Sequence, residues 1–483
     1  MRILASIEPE NFYTPLHELV RMTFAEHEIY FKDLSAREAD LIVILQFTEK
    51  NGAVFFNGQI ENFIRTDQAI IADNKEDTNR TLRKILFRFF SEYKARAISE
   101  YGVLTGVRPV KIVHRMLDQG LNDENVLVKL QQEYYLSKAT ANRLLTIARN
   151  NRFAFTPEVL PKQIGLYIGI PFCSSKCYYC SFPGAIVKKY ESEILPFLSA
   201  LEQEINEIGA YLTQHSYQVD TIYFGGGTPS ILRTIDLQRV FSWLDAAMPW
   251  AQAREITFEA GRPDSLASDK IQQIVDWGVN RICINPQSMH DMTLSAIGRK
   301  HTSDDIAATV EMVRRTGALM INMDLILGLP GEGISHFQQS IERVLALNPE
   351  NITVHSLAVK KGSALKDKEG IASIHNGSDG IREGAIWIDQ RLQQAGYIPY
   401  YLYRQKYIKE NLDNVGYALP GSECIYNIRM MEEKQTILGL GGGASSKLIN
   451  PITGLITAYH NPKEPAAYIT NISRHIMAKL DKL

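Results

Sequence analysis

Residues 167–185 read YIGIPFCSSKCYYCSFPGA. They crowd Cys173, Cys177 and Cys180, three of the chain's five cysteines, into a short run. A chain of 483 residues so poor in cysteine has a reason for that crowding. The candidates are a disulfide, a zinc site and an iron–sulfur cluster. A chain this long buries ample core and needs no disulfide staple. Few cysteines, and a start (MRILASIEPENF) with Glu8 and Glu10 where a secretory signal would be apolar, point to the reducing cytosol. There, clustered cysteines more often bind metal or react than bridge, and a cytoplasmic protein is expected. A structural zinc would want a fourth Cys or His at close spacing. No histidine lies near the loop, and Cys283 and Cys424 are distant in sequence. Cys283, inside an apolar strand, reads as an inert core residue. Thiolates spaced C-x3-C-x2-C can instead bind three irons of a cubane, leaving the fourth open to a small molecule.

Composition narrows the partners. A formal net charge of −2 gives no footprint for nucleic acid or an anionic membrane. No apolar run approaches the ~20 residues of a membrane-spanning helix. At roughly 150 residues per domain, the length predicts about three domains.

Residues 1–160 read as an α+β domain. ADLIVILQF and GAVFFNGQI have the β-branched and aromatic content of strands. DTNRTLRKILFRFFSEYKARA places Leu82, Ile85, Leu86, Phe89, Phe90 and Tyr93 on one helical face, with Asp77 or Thr78 as the expected N-cap. TPEVLPKQ reads as a linker. From residue 161 to 370 strands and helices alternate: GLYIGI, VDTIYF, EITFEA, VNRICIN, MINMDLI and NITVHSLAV are the expected strands. Six βα units in succession predict a parallel sheet, open or curled into a partial barrel. Residues 371–483 read as mostly helical and irregular, with two unusual stretches, YYLYRQKY and GLGGGASSK.

In such a sheet, chemistry gathers at the C-terminal ends of the strands. The first expected strand ends in the cysteines, the second in GGGTPS, the third at Glu259, and the fourth in NPQSM with Gln287. The fifth carries Asp324 and the sixth ends near His355 and Ser356.

Together, YIGIPFCSSKCYYC and YFGGGTPS resemble the radical S-adenosylmethionine (SAM) enzymes. Within them the chain is similar to the oxygen-independent coproporphyrinogen III oxidase group. EAGRPD, QSM, GRKH, DLILGLPGE and LGLGGGASSK extend the resemblance to the C-terminus, and GVLTGVRPVKI resembles the HemZ-like variant of the group. The resemblance implies an α/β fold: a partial (β/α)6 barrel of radical SAM type, with the N-terminal α+β domain and the mostly helical C-terminal domain attached. It implies a [4Fe–4S] cluster on Cys173, Cys177 and Cys180, with SAM on the open iron. Tyr167 would lie beside the cluster or the substrate. Gly226, Gly227 and Thr228 would approach the methionine part of the cofactor through their backbone. Glu259, Gln287, Arg299 and Asp324 would hold the cofactor, and Phe172 and Tyr179 would either pack on its adenine or form plain core.

One departure stands out: some members carry a fourth cysteine where this chain has Phe182. The implied reaction removes a hydrogen from a porphyrinogen propionate, loses carbon dioxide and an electron, and leaves a vinyl group. Two rounds convert coproporphyrinogen III to protoporphyrinogen IX. A porphyrinogen or heme is the implied small-molecule partner, and a reductase- or flavodoxin-type protein the implied electron donor. Tyr400, Tyr401, Tyr403, Arg404, Lys406 and Tyr407 in YYLYRQKY, together with Arg262, could meet propionates and a macrocycle. An ordinary amphipathic strand would look the same. GLGGGASSK could be a backbone anion nest or a plain glycine turn. A heme carrier that keeps the cluster, and a radical methylase or heme-ring-opening enzyme, are the alternatives on this scaffold.

Overall fold

The computed structural model describes residues 1–24, 27–31, 38–71, 74–155, 162–180, 185–250, 252–358, 380–405, 412–450 and 453–483. Most of the expected linker, Phe182, Lys406 and Tyr407 lie outside these residues. The chain forms two compact units: Met1–Arg149 with Arg404–Leu412, and Asn150–Tyr403 with Asp413–Leu483.

The first unit is built on β1 (Arg2–Glu8), β2 (Glu28–Tyr30), β3 (Leu41–Lys50), β4 (Ala53–Ile60) and β5 (Phe63–Ile70), in the order β2-β1-β3-β4-β5. In β3 every second residue from Leu41 to Phe47 is buried, the period of a strand with one covered face. Helices Tyr13–Thr23 and Lys75–Tyr93 supply the cover, and Leu16, Leu19, Leu86, Phe89 and Phe90 complete one core with β1, β3 and β4. Each such ring or leucine contributes roughly 1.5–3 kcal/mol by burial. The N-cap of the second helix is Asn74, not Asp77 or Thr78. The Asn74 side chain accepts from the Asp77 amide at 2.8 Å, and Asp77 stands inside the first turn, where its charge complements the helix dipole.

The second unit contains all six expected strands: β6 (Gln163–Ile170), β9 (Gln218–Gly226), β10 (Glu255–Glu259), β11 (Arg281–Cys283), β12 (Met320–Leu327) and β13 (Asn351–Ser356). The short pair β7 (Phe172–Cys173) and β8 (Ala185–Ile186) lies between the first two. The six strands are mutually parallel, as the βα alternation requires. Their side chains alternate between two environments. Ile164, Leu166, Ile168, Ile222, Phe224, Phe258, Ile282 and Leu325 are buried and apolar. The opposite face carries Tyr167, Tyr223, Glu259, Cys283, Asp324, Thr353 and His355, so the lumen of the curled sheet is polar.

Among the described residues the sheet does not close. It runs to eleven strands because the C-terminal tail adds β14 (Ile398–Arg404), β15 (Asp413–Ala418), β16 (Ile437–Gly441), β17 (Ser445–Ile449) and β18 (Ile456–His460). The tail does hold helices, at Ile381–Gln394, Ile425–Glu432, Pro465–Thr470 and Ile472–Leu480. Its strands flank the barrel, β15 antiparallel on β13 and β16 parallel on β6. β14 includes the first five residues of YYLYRQKY, Tyr400 to Arg404, and has no exposed face: Tyr400, Tyr401, Leu402 and Arg404 are all buried. In GLGGGASSK the amide of Gly441 donates to the buried carboxylate of Glu204 at 2.7 Å, and Glu204 is paired with Lys479. The anion this turn cradles is the protein's own.

Candidate cofactor site at the strand ends

The cysteine loop follows β6 and is clamped from three sides. The amide of Gly227 donates to Ile170 O at 2.7 Å, and that of Thr228 to Phe172 O at 2.8 Å. Gly226 has φ +107°, and a Cβ on Gly227 would stand 2.4 Å from Phe172 O and 3.0 Å from Cys173 Sγ. Only glycine permits that approach. The amides of Gly227 and Thr228 are therefore engaged by the loop itself, and the Thr228 hydroxyl faces Cys173 Sγ at 3.6 Å. On the second side, Tyr178 N donates to Ile297 O at 3.1 Å, which seats the loop on the turn leading to Arg299.

The third side is Arg262. Its guanidinium is buried and donates to Cys177 Sγ (3.0 Å), Ser175 O (2.7 Å), Ser175 Oγ (2.5 Å) and Ser174 Oγ (3.1 Å). It is occupied by the cysteine loop and does not stand free for a propionate. Arg404, the other expected propionate cation, is buried, donates to Leu104 O at 2.7 Å and lies over the ring of Tyr101.

Arg299 is buried as well. It donates to Asn285 O at 2.7 Å, Gly261 O at 3.0 Å and the Tyr179 hydroxyl at 3.1 Å, and its Nε has no partner. Tyr179 packs on the cluster formed by Leu294, Ile297, Ile326, Leu329 and Leu357. Among the described residues neither Arg262 nor Arg299 forms an ion pair with a carboxylate; Asp264 takes a hydrogen bond from Ser174 instead. Beside them His301 is buried with its Nε2 unpaired, and burial together with the charge of Arg299 pushes its pKa down to about 4.

Of its two expected places, Phe172 takes the core. Its ring is fully buried and meets Phe197 edge-to-face at 5.2 Å, so no face is open to a nucleobase.

Deeper in the lumen, Tyr167, Tyr223 and Tyr426 stack in sequence, with centroids 6.0 and 4.7 Å apart. Tyr223 donates to Glu259 at 2.7 Å. Burial raises the Glu259 pKa to about 7; the hydrogen bond from Tyr223 opposes that rise and the charge of Asp324 adds to it. Asp324 accepts from Asn322 at 2.8 Å and faces His355 at 3.7 Å, and His355 Nδ1 meets the Tyr403 hydroxyl at 3.1 Å. Gln287, at φ +68°, is strapped to β12 by its backbone: its amide donates to Asp324 O and its carbonyl accepts from Ile326.

The structure thus gathers the cysteines, Gly226, Gly227, Thr228, Tyr179 and Arg299 at the mouth, and Tyr167, Glu259 and Asp324 in the lumen. Tyr223 and Tyr426 were not anticipated. Tyr223 shares a strand face with Thr221 and Gly225, so period-two alternation could have found it. Tyr426 arrives from a tail helix, and no local pattern signals it.

The donor set fits the expected cluster and cofactor. Two buried guanidiniums beside three thiols, with no carboxylate to pair with, call for an anion, since buried charge is stable only when compensated. A cluster on three thiolates and a carboxylate-bearing ligand would supply negative charge at that place. Among the described residues no three His, Cys, Asp or Glu side chains converge on one point as ligands to a single ion. The fit accordingly rests on donor chemistry and charge.

Comparisons agree with this architecture. The sequence model of the Radical SAM superfamily matches residues 167–344. The oxygen-independent coproporphyrinogen-III oxidase-like protein HemZ of Bacillus subtilis (strain 168) is 34% identical, over 99% of this chain and 97% of its own. The heme chaperone HemW of Escherichia coli (strain K12) is 28% identical, over 60% of this chain and 71% of its own. Among solved structures, coproporphyrinogen III oxidase (HemN) from Escherichia coli aligns with a TM-score of 0.51 and 23% identity, over 65% of this chain and 70% of that one. That last likeness is one of fold.

Proposed function

The chain belongs to the coproporphyrinogen III oxidase-like family of the radical SAM superfamily, and from that membership we propose that it oxidatively decarboxylates the propionates of coproporphyrinogen III to vinyl groups, yielding protoporphyrinogen IX. The family's cofactors are a [4Fe–4S] cluster and SAM, which together supply one-electron chemistry able to break an unactivated C–H bond. A reductase- or flavodoxin-type protein would deliver the electron.

The chain's residues divide the remaining work. Cys173, Cys177 and Cys180 would hold the cluster. Arg299 would offer its unpaired Nε to the cofactor carboxylate while its terminal nitrogens keep the Gly261 and Asn285 turns in place. Glu259 and Asp324 would accept from ribose hydroxyls or the amino group. With its pKa near neutrality, Glu259 can also take up or release a proton without a large cost. The stacked tyrosines wall the lumen and keep bulk water from a reactive carbon. The reaction rests on the family membership, and the observation that carries the cofactor site is the pair of buried guanidiniums beside the three-thiol loop, which have no carboxylate partner among the described residues.

A second function has a specific basis. Relatives named heme chaperone match much of the chain. A heme carrier retaining the cluster fits these matches. Anaerobic incubation of reconstituted protein with SAM, a reductant and coproporphyrinogen III separates the two. Products that have lost carbon dioxide support the enzyme. Cleaved SAM, untouched porphyrinogen and tight heme binding support the carrier.

A further inference from the structure

Arg262 stands on a stiff platform. The amides of Ala260 and Gly261 both donate to Cys283 O, at 3.1 and 3.0 Å, and Arg299 holds Gly261 O. Gly261 turns at φ +61°, and Pro263 opens the short turn that follows. Hydrogen bonds at both its amide and its carbonyl pin Gly261, and the ring of Pro263 fixes the φ on the other side, so the Arg262 side chain is delivered to one place. That place is the cysteine loop, 85 residues away in sequence. A planar guanidinium can donate in several directions at once, and here it reaches one thiol, one carbonyl and two hydroxyls. A lysine ammonium is a point charge and could not match that set. Arg262 is buried and, among the described residues, has no carboxylate partner, so its charge stands within hydrogen-bonding distance of the Cys177 sulfur.

We propose that Arg262 is a positioning residue for the cluster: it fixes the Ser174–Cys177 segment and, through its hydrogen bond to the Cys177 sulfur, makes one-electron reduction of the bound cluster easier. Hydrogen bonds and positive charge at cluster sulfurs raise the reduction potential, because they favour the state with one more electron. The inference rests on the cluster proposal but not on the identity of the organic substrate.

The test uses the full chain, reconstituted anaerobically without substrate, as wild type, Arg262→Gln and Arg262→Lys. Iron and sulfide are counted, and the reduced cluster is quantified by electron paramagnetic resonance at a fixed poise set by dithionite and mediators. Arg262→Gln should keep its iron while its reduced-to-oxidised ratio falls about tenfold, equivalent to about 59 mV for one electron. Arg262→Lys, which retains the charge, should fall less. Iron-replete Arg262→Gln with the wild-type ratio would overturn the proposal, leaving Arg262 as scaffold alone. Should Arg262→Gln take up no iron, Arg262→Lys decides. Iron uptake with a ratio within threefold of wild type supports the proposal, and loss of iron there too overturns it. A wild type that takes up no iron would instead strike at the cluster proposal itself.

Discussion

The two ends of the barrel strands treat buried charge in opposite ways. At the N-terminal end, Asp220 accepts from Arg254 at 2.7 and 2.9 Å and pairs with Arg429. Glu255 pairs with Arg281 at 3.3 Å and caps helix Ile425–Glu432 by accepting from the amides of Ile425 (2.9 Å) and Tyr426 (3.0 Å). Both of these buried acids have a basic partner, and the result is a plug that seats a tail helix under the lumen. At the C-terminal end, Arg262 and Arg299 are also buried and have no acid partner among the described residues, while burial pushes Glu259 toward neutrality. Compensated charge marks the end that holds the fold together. Uncompensated charge marks the end where the cofactor is proposed to bind.

The largest expected effect tests the ligand end directly. Cys177→Ser should take iron content after anaerobic reconstitution to a small fraction of wild type and abolish SAM cleavage, with secondary structure by circular dichroism unchanged. Full iron retention would remove the cysteine loop from the site.

Next in size is the contrast between two arginines in metal-free protein. Arg281→Met leaves Glu255 buried without its cation and should cost about 3–5 kcal/mol in denaturant unfolding. Arg299→Met removes a guanidinium that has no acid partner and should cost less than half as much. Equal costs would erase the distinction between the ends.

A smaller effect concerns pH. The folded-state pKa of Glu259, about 7, lies above its ordinary value, so the folded protein binds the proton more tightly than the unfolded chain. Stability should then fall as pH rises from about 4.5 to 7, by at most about 1.4 kcal/mol per pH unit from this group. Glu259→Gln should flatten that part of the stability–pH curve. An unchanged slope would place the titration elsewhere.

The smallest is Tyr223→Phe, which removes the hydrogen bond to the Glu259 carboxylate. It should cost about 1 kcal/mol and move the Glu259 titration to higher pH, read by carboxyl-specific infrared difference spectra. A downward shift would contradict the geometry.

Much of the fold was legible in the sequence where the information is local. The six parallel strands follow from β-branched runs between helical periods, and each was found within a few residues of its expected bounds. The helix Lys75–Tyr93 follows from its apolar spacing. Its cap was misplaced by three residues because Asn74, Asp77 and Thr78 are all chemically able to cap, and only the direction of the Asn74 side chain decides among them. The tail was harder to read. β16 is ILGLG and β17 is SSKLI, short and glycine- or serine-rich, with little strand propensity of their own. They are strands because β6 offers β16 an edge to pair with. Phe172 is open between ligand and core in the sequence for a related reason, since an aromatic beside a cysteine loop looks the same whether its ring faces a ligand or Phe197.

By itself the sequence determined that three thiols share one loop at cluster spacing and that this loop ends the first strand of a βα series, because both depend on neighbours within a few residues. Only the tertiary structure decided which charges are compensated. Arg262 and Arg281 are indistinguishable as isolated letters. One meets a thiol and the other a carboxylate because the fold brings distant segments to each, and the stability of a buried charge is set by whatever stands within a few ångströms of it in space.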